Sequence, residues 1–184
     1  MKTTKLFVAA AIGTVSTVCL VQAQDYTTTA DVPSPTAGFY RAQELSLDLF
    51  GEGSIGQQTI DHISGSRVEH HGRLGAGGGL NYFFTRYVGV GGDAYTENTS
   101  HNFIDSASGS LIGRLPIADT GIAPYVFGGG GYQFDEVGQS FAQCGGGIEF
   151  RFAKYAGFFV DARYVIADKT DNYGVGRAGL RVVF

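Results

Sequence analysis

Tryptophan is absent from this 184-residue chain, and charged residues, prolines and cysteines are scarce: Asp, Glu, Lys and Arg make up 16%, with four prolines and two cysteines. An average soluble domain carries roughly 25% charged residues. The formal net charge of −4 excludes a strongly basic nucleic-acid-binding protein, so we expect no nucleic acid partner. The length fits about one domain and excludes a multi-domain enzyme. Glycine is abundant, with 29 residues, but it lacks the three-residue period of collagen.

The first 23 residues have the pattern of a secretory signal peptide. Lys2 and Lys5 precede an uncharged, mostly apolar run over 6–21, and Ala23 closes a tripeptide with small residues at the two positions that a signal peptidase reads. We predict cleavage after Ala23. The alternative is a single transmembrane anchor, which needs about 20 apolar residues, whereas this run is shorter and interrupted by Thr and Ser.

Cleavage would change both the charge and the thiol content of the chain. It would remove two lysines from a chain of net charge −4 and would also remove Cys19, so Cys144 would be the only cysteine left and an internal disulfide is excluded. A lipid anchor on Cys19 is a weaker alternative, because Val18 stands where a lipoprotein signal has a small residue. Residues 24–41, rich in Thr, Ala, Pro and Gly, are predicted to be a periplasmic tail. Since residues 24–184 contain no candidate transmembrane helix, a location in a membrane would require a closed barrel.

From residue 42 onward, apolar and polar residues alternate with a period of two, which predicts β-strands. Leu45, Leu47 and Leu49 share one face of the first strand, and Glu44 and Asp48 share the other. The pattern predicts eight strands, over 42–50, 73–84, 88–96, 105–116, 124–134, 140–152, 157–166 and 173–184. Many of them approach or exceed the 9–11 residues with which a tilted strand crosses a bilayer. We therefore predict an all-β fold over 42–184, an eight-stranded antiparallel up-and-down transmembrane β-barrel.

An internal repeat supports this topology. Residues 77–94 align without gaps to 145–162, and eight of the 18 positions are identical. Each copy reads as a strand, a tight turn and a second strand, the unit from which meander barrels are built. The turns near 85–87 and 153–156 are short, whereas the links 51–72, 97–104, 135–139 and 167–172 are polar and mostly longer. Short turns at one end and longer loops at the other are typical of outer-membrane barrels.

The two faces of the predicted strands differ in composition. The apolar face carries aromatics near the strand ends on the turn side, as an aromatic girdle would: Tyr82, Phe84, Phe150, Phe152 and Phe184. The alternative is a soluble sandwich core, but its opposite face would prefer Lys and Glu. Here the opposite face carries Ser, Gly, Asn and Gln, with nearly balanced charges. The charged residues expected inside are Glu44, Asp48, Asp93, Glu149 and Asp161 with Arg73, Arg114, Arg151, Arg163, Arg177 and Arg181.

These charges predict an interior closed by arginine–carboxylate pairs. Arg offers a planar fork that binds carboxylates with two hydrogen bonds. An eight-stranded barrel is only wide enough for side chains to fill it. The facing of Tyr125 and Phe127 stays open, because four consecutive glycines over 128–131 interrupt the pattern.

The chain resembles the small eight-stranded outer-membrane β-barrels of the OmpA/OmpX-like and opacity-protein group over roughly residues 42–184. The most specific feature is the last strand, in which a polar residue, a glycine and alternating hydrophobic residues precede a terminal Phe. The residues that match this assembly signal are Arg177, Gly179, Val182 and Phe184. The resemblance implies a bacterial outer-membrane location, contact with outer-membrane lipid, and recognition of the C-terminal strand by the barrel assembly machinery.

The resemblance also implies a role, with alternatives. The leading expectation is a non-enzymatic surface protein that supports envelope integrity and whose loops contact a host or another surface. A narrow channel or conduit for small molecules is the second reading. A lipid-modifying barrel enzyme is the third, and a soluble lipocalin-type barrel is the fourth. The last would need neither the assembly signal nor an apolar exterior.

The histidines give little support to an enzyme. His62, His70, His71 and His101 all fall in predicted loops. His101 lies near Ser100 in the sequence, but a catalytic triad needs a rigid scaffold. The first three histidines have no fixed metal-ligand spacing. We therefore expect no catalytic residues, no metal and no cofactor.

Overall fold

A computed structural model describes residues 38–55, 58–60, 67–69, 73–97, 104–134, 138–169 and 172–184. Its strands are β1 (Glu44–Ile55), β2 (Gln58–Ile60), β3 (Arg67–Glu69), β4 (Leu74–Phe83), β5 (Val88–Glu97), β6 (Ser106–Arg114), β7 (Ile122–Gln133), β8 (Gln139–Ala153), β9 (Ala156–Ala167) and β10 (Tyr173–Val183). Eight of them, β1 and β4 to β10, close into one barrel in which every neighbouring pair is antiparallel. The predicted eight-stranded antiparallel up-and-down barrel is confirmed. Among the described residues, none forms a helix long and apolar enough to cross a membrane.

The first strand is longer than predicted. The strand was expected over 42–50, followed by a link over 51–72, but β1 continues to Ile55. Its extension stays paired on both sides, since Glu52 lies opposite Gly75 in β4 and Arg177 in β10. Glycines interrupt the apolar alternation here, so the sequence pattern fades before the backbone pairing ends. Within the same expected link, β2 and β3 form a separate two-stranded sheet.

The sequence repeat corresponds to two hairpins of equal register. In the β4–β5 hairpin Gly79 lies opposite Asp93, and in the β8–β9 hairpin Gly147 lies opposite Asp161. Each pair occupies the same position in the two aligned copies. The glycine makes room for the neighbouring acidic residue, because a Cβ at Gly147 would lie 2.5 Å from the Asp161 Cβ. The repeat therefore places an aspartate at the same height on two separate walls of the interior.

The barrel has a turn end and a loop end. The connections 84–87, 115–121 and 154–155 lie at the turn end, together with the start of β1 and the end of β10. The first of these turns is held by Thr85, whose hydroxyl accepts hydrogen bonds from the backbone N–H groups of Tyr87 and Val88 at 3.2 and 3.0 Å. At the opposite, loop end lie the ends of β1, β5, β7 and β9 and the starts of β4, β6, β8 and β10.

The outward face of the barrel is apolar. Leu49 is 57% exposed and Val160 is 55% exposed, although both lie in the middle of strands. Aromatic side chains flank this apolar surface at both ends. At the turn end these are the predicted Tyr82, Phe84, Phe150, Phe152 and Phe184, all exposed. At the loop end they are Tyr132, Phe134 and Tyr164, also exposed.

The inward face contains aromatic residues as well as charges. Tyr125 and Phe127, whose facing the sequence left open, point inward and are buried. They belong to an interior apolar cluster whose members are Phe50, Phe83, Tyr95, Ile112, Tyr125, Phe127 and Phe159. A second cluster, nearer the loop end, contains Phe141, Val165, Tyr173 and Val175. The interior is thus filled by aromatic rings packed between charged groups.

Candidate functional site

The charged residues nearest the turn end form one connected group, here called the turn-end cluster. Its members are Glu44, Asp48, Arg114, Glu149, Arg151 and Arg181, all buried. Three carboxylates thus meet three guanidinium groups, so the cluster is balanced in charge. These side chains come from the ends of β1, β6, β8 and β10, which converge at the turn end.

Short contacts connect the whole turn-end cluster. Glu44 Oε1 receives Arg114 Nη1 at 2.8 Å and Arg151 Nη2 at 2.5 Å. Arg151 Nε also donates to Glu149 Oε1 at 2.5 Å. Arg181 continues the chain of pairs, with Nη1 at 2.7 Å from Glu149 Oε2. Its Nε and Nη2 bind the two carboxylate oxygens of Asp48 at 2.7 and 2.6 Å, the two-pronged arrangement that Arg favours.

A second group, here called the central cluster, lies at mid-height in the barrel. It contains Asp93, Asp161, Arg163 and Arg177 and is also balanced in charge. Arg177 Nε and Nη2 each donate to an Asp161 oxygen at 2.8 Å. Arg177 Nη1 lies 3.2 Å and Arg163 Nη2 lies 3.3 Å from Asp93 Oδ2. The two aspartates of the sequence repeat are therefore both held by Arg177.

Neutral polar residues complete the hydrogen bonding of these charges. Asn81 Nδ2 donates to Asp48 Oδ2 at 2.8 Å, and the Tyr125 hydroxyl donates to Asp161 Oδ2 at 2.7 Å. Ser108 Oγ donates to Asp93 Oδ1 at 2.9 Å, and Arg163 Nη1 donates to Gln143 Oε1 at 2.8 Å. The sequence analysis identified the charged residues but not these neutral partners. Each of the four partners nevertheless occupies an inward-facing position of its strand.

Aromatic rings stack against the guanidinium groups. The Arg114 guanidinium carbon lies 3.7 Å from the centre of the Phe83 ring, and that of Arg177 lies 4.8 Å from the Phe50 ring. A cation over an aromatic face is attracted by the ring's electron density, and this attraction is larger when water is excluded. The aromatics thus both fill space and stabilise the buried positive charges.

Hydrogen-bonded pairing decides whether such an interior is stable. Removing two charges from water costs several kcal/mol per ion, and only good geometry with additional hydrogen bonds offsets that cost. Nearly all buried side-chain polar atoms of the described residues have a hydrogen-bond partner. The exceptions are Arg114 Nη2, Arg163 Nε and both carboxylate oxygens of Glu52.

Glu52 is a buried interior residue that sequence reasoning missed. It is 5% exposed and lies toward the loop end, inside the extended part of β1. The alternation that places Glu44 and Asp48 inside would have found it if the strand had been continued past residue 50. It lies in the segment 51–72 for which the sequence predicted a link between strands.

Arg73 lies apart from both clusters. Sequence analysis placed it among the interior charges, but its side chain is 46% exposed just before β4, at the loop end. It pairs there with Glu97 at 3.8 Å. The Arg73 backbone still pairs with Ser54 of β1, but the residue stands at the loop-end rim of the barrel, where its side chain is open to solvent.

The residues of the expected assembly signal lie on β10 and at its end. Arg177 points inward into the central cluster, and Val182 and Phe184 point outward with exposed side chains. Gly179 approaches β1 so closely that a Cβ would lie 2.3 Å from the Leu49 carbonyl oxygen. The Phe184 N–H donates to the Leu45 carbonyl at 2.9 Å, which joins Phe184 to the first strand.

The histidine predictions lie outside the described residues, since 61–66, 70–72 and 98–103 are not among them. Asp105, which follows His101 in the sequence, is buried and accepts a hydrogen bond from the Glu97 N–H at 2.6 Å. Among the described residues, no group of three or more His, Cys, Asp or Glu is arranged to hold a metal ion. Cys144 is exposed.

A small cavity lies between the turn-end and central clusters and is lined by residues of both. Its volume is about 30 Å³, which is room for about two water molecules. Asp48, Asp161, Arg177 and Arg181 line it together with Tyr125. The cavity therefore joins the two clusters through groups that hydrogen-bond to water.

The fold and the inverted polarity, apolar outside and charged inside, define the class of the small outer-membrane β-barrels. Among solved structures, the chain is similar to the N-terminal β-barrel domain of Pseudomonas aeruginosa OprF, with a TM-score of 0.59 at 15% identity over 78% of this chain and 99% of that one. Neisserial surface protein A matches with a TM-score of 0.51 at 11% identity, over 76% and 96% of the two chains. The outer membrane protein OprG of Pseudomonas aeruginosa matches with a TM-score of 0.50 at 13% identity, over 80% and 98%.

These likenesses establish the fold of the chain. A de novo designed transmembrane β-barrel shares it as well, with a TM-score of 0.51 at 15% identity over 78% of this chain and 98% of that one. No family model and no curated protein sequence matches the chain.

Proposed function

We propose that this chain is a non-enzymatic protein of the bacterial outer membrane, with a structural or surface-interaction role and a lumen that is largely closed. The observation that carries the proposal is the inverted polarity of the barrel. Leucine, valine and aromatic side chains are exposed outside, while Arg114, Arg151, Arg163 and Arg181 are buried inside and pair with carboxylates. The less deeply buried Arg177 also pairs with a carboxylate inside the barrel.

The exterior fits a lipid surface. Barrel strands of 9 to 15 residues are long enough to cross a bilayer at a tilt. Exposed aromatics at both ends of the barrel fit the two membrane interfaces. In water, so large an exposed apolar surface would be a site of aggregation. We therefore place the apolar exterior of the barrel in outer-membrane lipid.

The interior supports a closed lumen. The turn-end cluster spans the width of the barrel, from Glu44 on β1 to Glu149 and Arg151 on β8. Phe50, Tyr125 and Phe127 fill space between it and the central cluster. An eight-stranded barrel has little interior volume beyond its side chains, so this packing leaves no wide path for solutes.

The partners in this proposal are outer-membrane lipid, the barrel assembly machinery and a surface reached by the loops. The assembly machinery would read β10 and Phe184, the residue that follows it. Deletion of Phe184 is expected to lower the amount of folded protein in the outer membrane, as measured by heat-dependent gel migration of membrane fractions. Normal folded levels would contradict the assembly signal and leave the lipid assignment standing.

Planar-bilayer conductance of the refolded protein tests the closed lumen. A shift in gel migration between boiled and unboiled samples first shows that the protein is folded. We expect a folded sample to give no stable channels, because the paired charges fill the interior. Stable channels whose conductance depends on salt would instead support a conducting path.

A narrow channel is the second candidate function, and the internal cavity favours it. The lining of the cavity includes charged and hydroxyl groups such as Asp93 and Tyr125, and its volume has room for about two water molecules. A water path through the central cluster would begin from this cavity. Channel openings in the bilayer experiment that become more frequent when Arg177 is replaced by Ala would support this second candidate.

A further inference from the structure

A short segment before the first strand lies in the turn-end mouth of the barrel. Tyr40 belongs to no strand, yet it is only 7% exposed. Its hydroxyl donates to the Gly121 carbonyl at 2.8 Å, across the mouth in the connection between β6 and β7. Burial raises the pKa of this phenol, so the hydroxyl keeps the proton that it donates. Residues 38–41 are here called the stopper.

The stopper contacts the turn-end cluster directly. The Tyr40 ring centre lies 4.2 Å from the Arg151 guanidinium carbon and 4.7 Å from that of Arg114. The Phe39 carbonyl accepts a hydrogen bond from Arg151, and the Arg41 N–H donates to Glu44 at 3.3 Å. Arg114, Arg151 and Glu44 have no exposed side-chain surface at all. Tyr40 therefore covers charges that would otherwise face the mouth.

The connection between the stopper and β1 is strained. Gln43 has a φ of 54°, a left-handed conformation that non-glycine residues rarely adopt. Its side chain is exposed, so the strain is held by the contacts of its neighbours. The positive φ turns the chain from the start of β1 back into the mouth. Gln43 is thus positioned as a hinge whose relaxation would withdraw the stopper.

The stopper is also held differently from the barrel wall. Each wall strand is hydrogen-bonded to a neighbour on both sides, whereas the stopper is held by the Tyr40 side chain and a few polar contacts. Segments with few buried contacts and no ladder of backbone hydrogen bonds open at low free-energy cost. Withdrawal would break these contacts and leave the pairing of β1 with β4 and β10 unchanged.

We propose that residues 38–41 form a releasable stopper that closes the turn-end mouth of the barrel, with Gln43 as its hinge. When seated, the stopper keeps water from the turn-end cluster. When released, it opens Arg114 and Arg151 to the solution at that end. This inference depends on the barrel fold and goes beyond the proposed role in the envelope.

The absence of tryptophan from the chain gives a direct test of seating. In a Tyr40→Trp variant of the full chain, refolded in detergent micelles, all tryptophan fluorescence comes from the stopper. A Tyr155→Trp variant is the matched control, because Tyr155 lies at the same end of the barrel and is 68% exposed. We expect acrylamide to quench the Tyr40→Trp fluorescence several-fold less than that of the control. Equal quenching in two folded samples would overturn the proposal.

Substitution of Gln43, the proposed hinge, tests whether the stopper can be released. Proline fixes φ near about −65° and forbids the observed conformation, whereas glycine accepts it freely. In the Tyr40→Trp background, Gln43→Pro should raise quenching to the level of the Tyr155→Trp control, and Gln43→Gly should leave it low. Equal shielding in the Gln43→Pro and Gln43→Gly chains would overturn the hinge.

Folding controls distinguish a failure of the stopper proposal from a failure of the proposed function. Heat-dependent gel migration shows that each variant forms the barrel, and if Gln43→Pro does not fold, Gln43→Val disfavours the same positive φ more mildly. Quenching in micelles reports the stopper whatever the role of the protein. Bilayer conductance and membrane fractionation report the proposed function. Failure of one set of experiments is thus distinguishable from failure of the other.

Discussion

The turn half and the loop half of the barrel interior are filled by different chemistry, although the same eight strands line both. In the turn half, three arginines and three carboxylates bind one another directly. In the loop half, side-chain amides and hydroxyls form the hydrogen bonds instead. Gln133 donates to the Tyr173 hydroxyl at 2.7 Å, and Gln139 donates to Gln133 at 2.6 Å. Phe141 and Val165 pack beside them.

Glu52 illustrates the physical consequence of this difference between the turn half and the loop half. It is buried in the loop half, and neither of its carboxylate oxygens has a hydrogen-bond partner among the described residues. Glu44 is buried just as deeply in the turn half but accepts hydrogen bonds from two arginines. A buried charge is tolerated when it is paired and is costly when it is not. The turn half is therefore expected to depend on its paired charges for stability, and the loop half is expected to be destabilised by the unpaired carboxyl group of Glu52.

Arg181→Ala should have the largest effect on this comparison. Arg181 binds Asp48 with two hydrogen bonds and Glu149 with one, so its removal leaves two buried carboxylates short of partners. We expect a loss of about 3–5 kcal/mol in the free energy of unfolding. Urea titration of the refolded protein, followed by heat-dependent gel migration, measures it. A loss below about 1 kcal/mol would mean that the turn-end cluster adds little stability.

Leu47→Arg introduces an arginine on the outward face of the barrel, whereas Arg181 lies on the inward face. Leu47 lies next to Asp48 in β1 and faces outward. An arginine facing lipid near the bilayer midplane costs about 2–4 kcal/mol, and less toward the interface. Unfolding in lipid vesicles measures the loss. Unchanged stability would show that this face does not contact lipid.

Glu52→Gln replaces the unpaired carboxyl group of the loop half with an amide of the same shape. An unpaired buried carboxyl group must either hold a charge or take up a proton, whereas an amide does neither, so we expect the free energy of unfolding to rise by about 1 kcal/mol. Glu44→Gln is the matched control, since it weakens two arginine contacts and should destabilise the barrel. If both substitutions lowered stability alike, Glu52 would have a bound partner in solution and the contrast between the two halves would fail.

The walls of the barrel were predictable from the sequence because alternation of period two is a local property. The inward and outward assignments of Glu44, Leu45 and Asp48 need only their own strand. The predicted strand bounds differ from the structure by about three residues or fewer, apart from the end of β1. There, glycines replace the apolar residues that carry the pattern, so the strand continues without a sequence signal.

The pairing of charges was less predictable because it depends on the shear of the closed barrel. Asp93 and Asp161 were recognised as interior residues, but that Arg177 joins them follows from the register of separate strand pairs. The stopper was beyond prediction for another reason. Tyr40 lies in a segment that reads as a tail, and its place is set by contacts with Gly121 and Arg151, which are distant in the sequence.

Arg73→Ala should have the smallest effect and is the sharpest control for the turn half. Like Arg181 it is an arginine paired with a carboxylate, but its side chain is 46% exposed, and the distance to Glu97 is 3.8 Å. Water screens such a pair, so the expected loss in the free energy of unfolding is about 0–1 kcal/mol. The same urea titration, run beside Arg181→Ala, measures the ratio of the two losses. Equal losses would show that burial does not set the strength of these pairs, because the two variants remove the same group from opposite ends of one barrel.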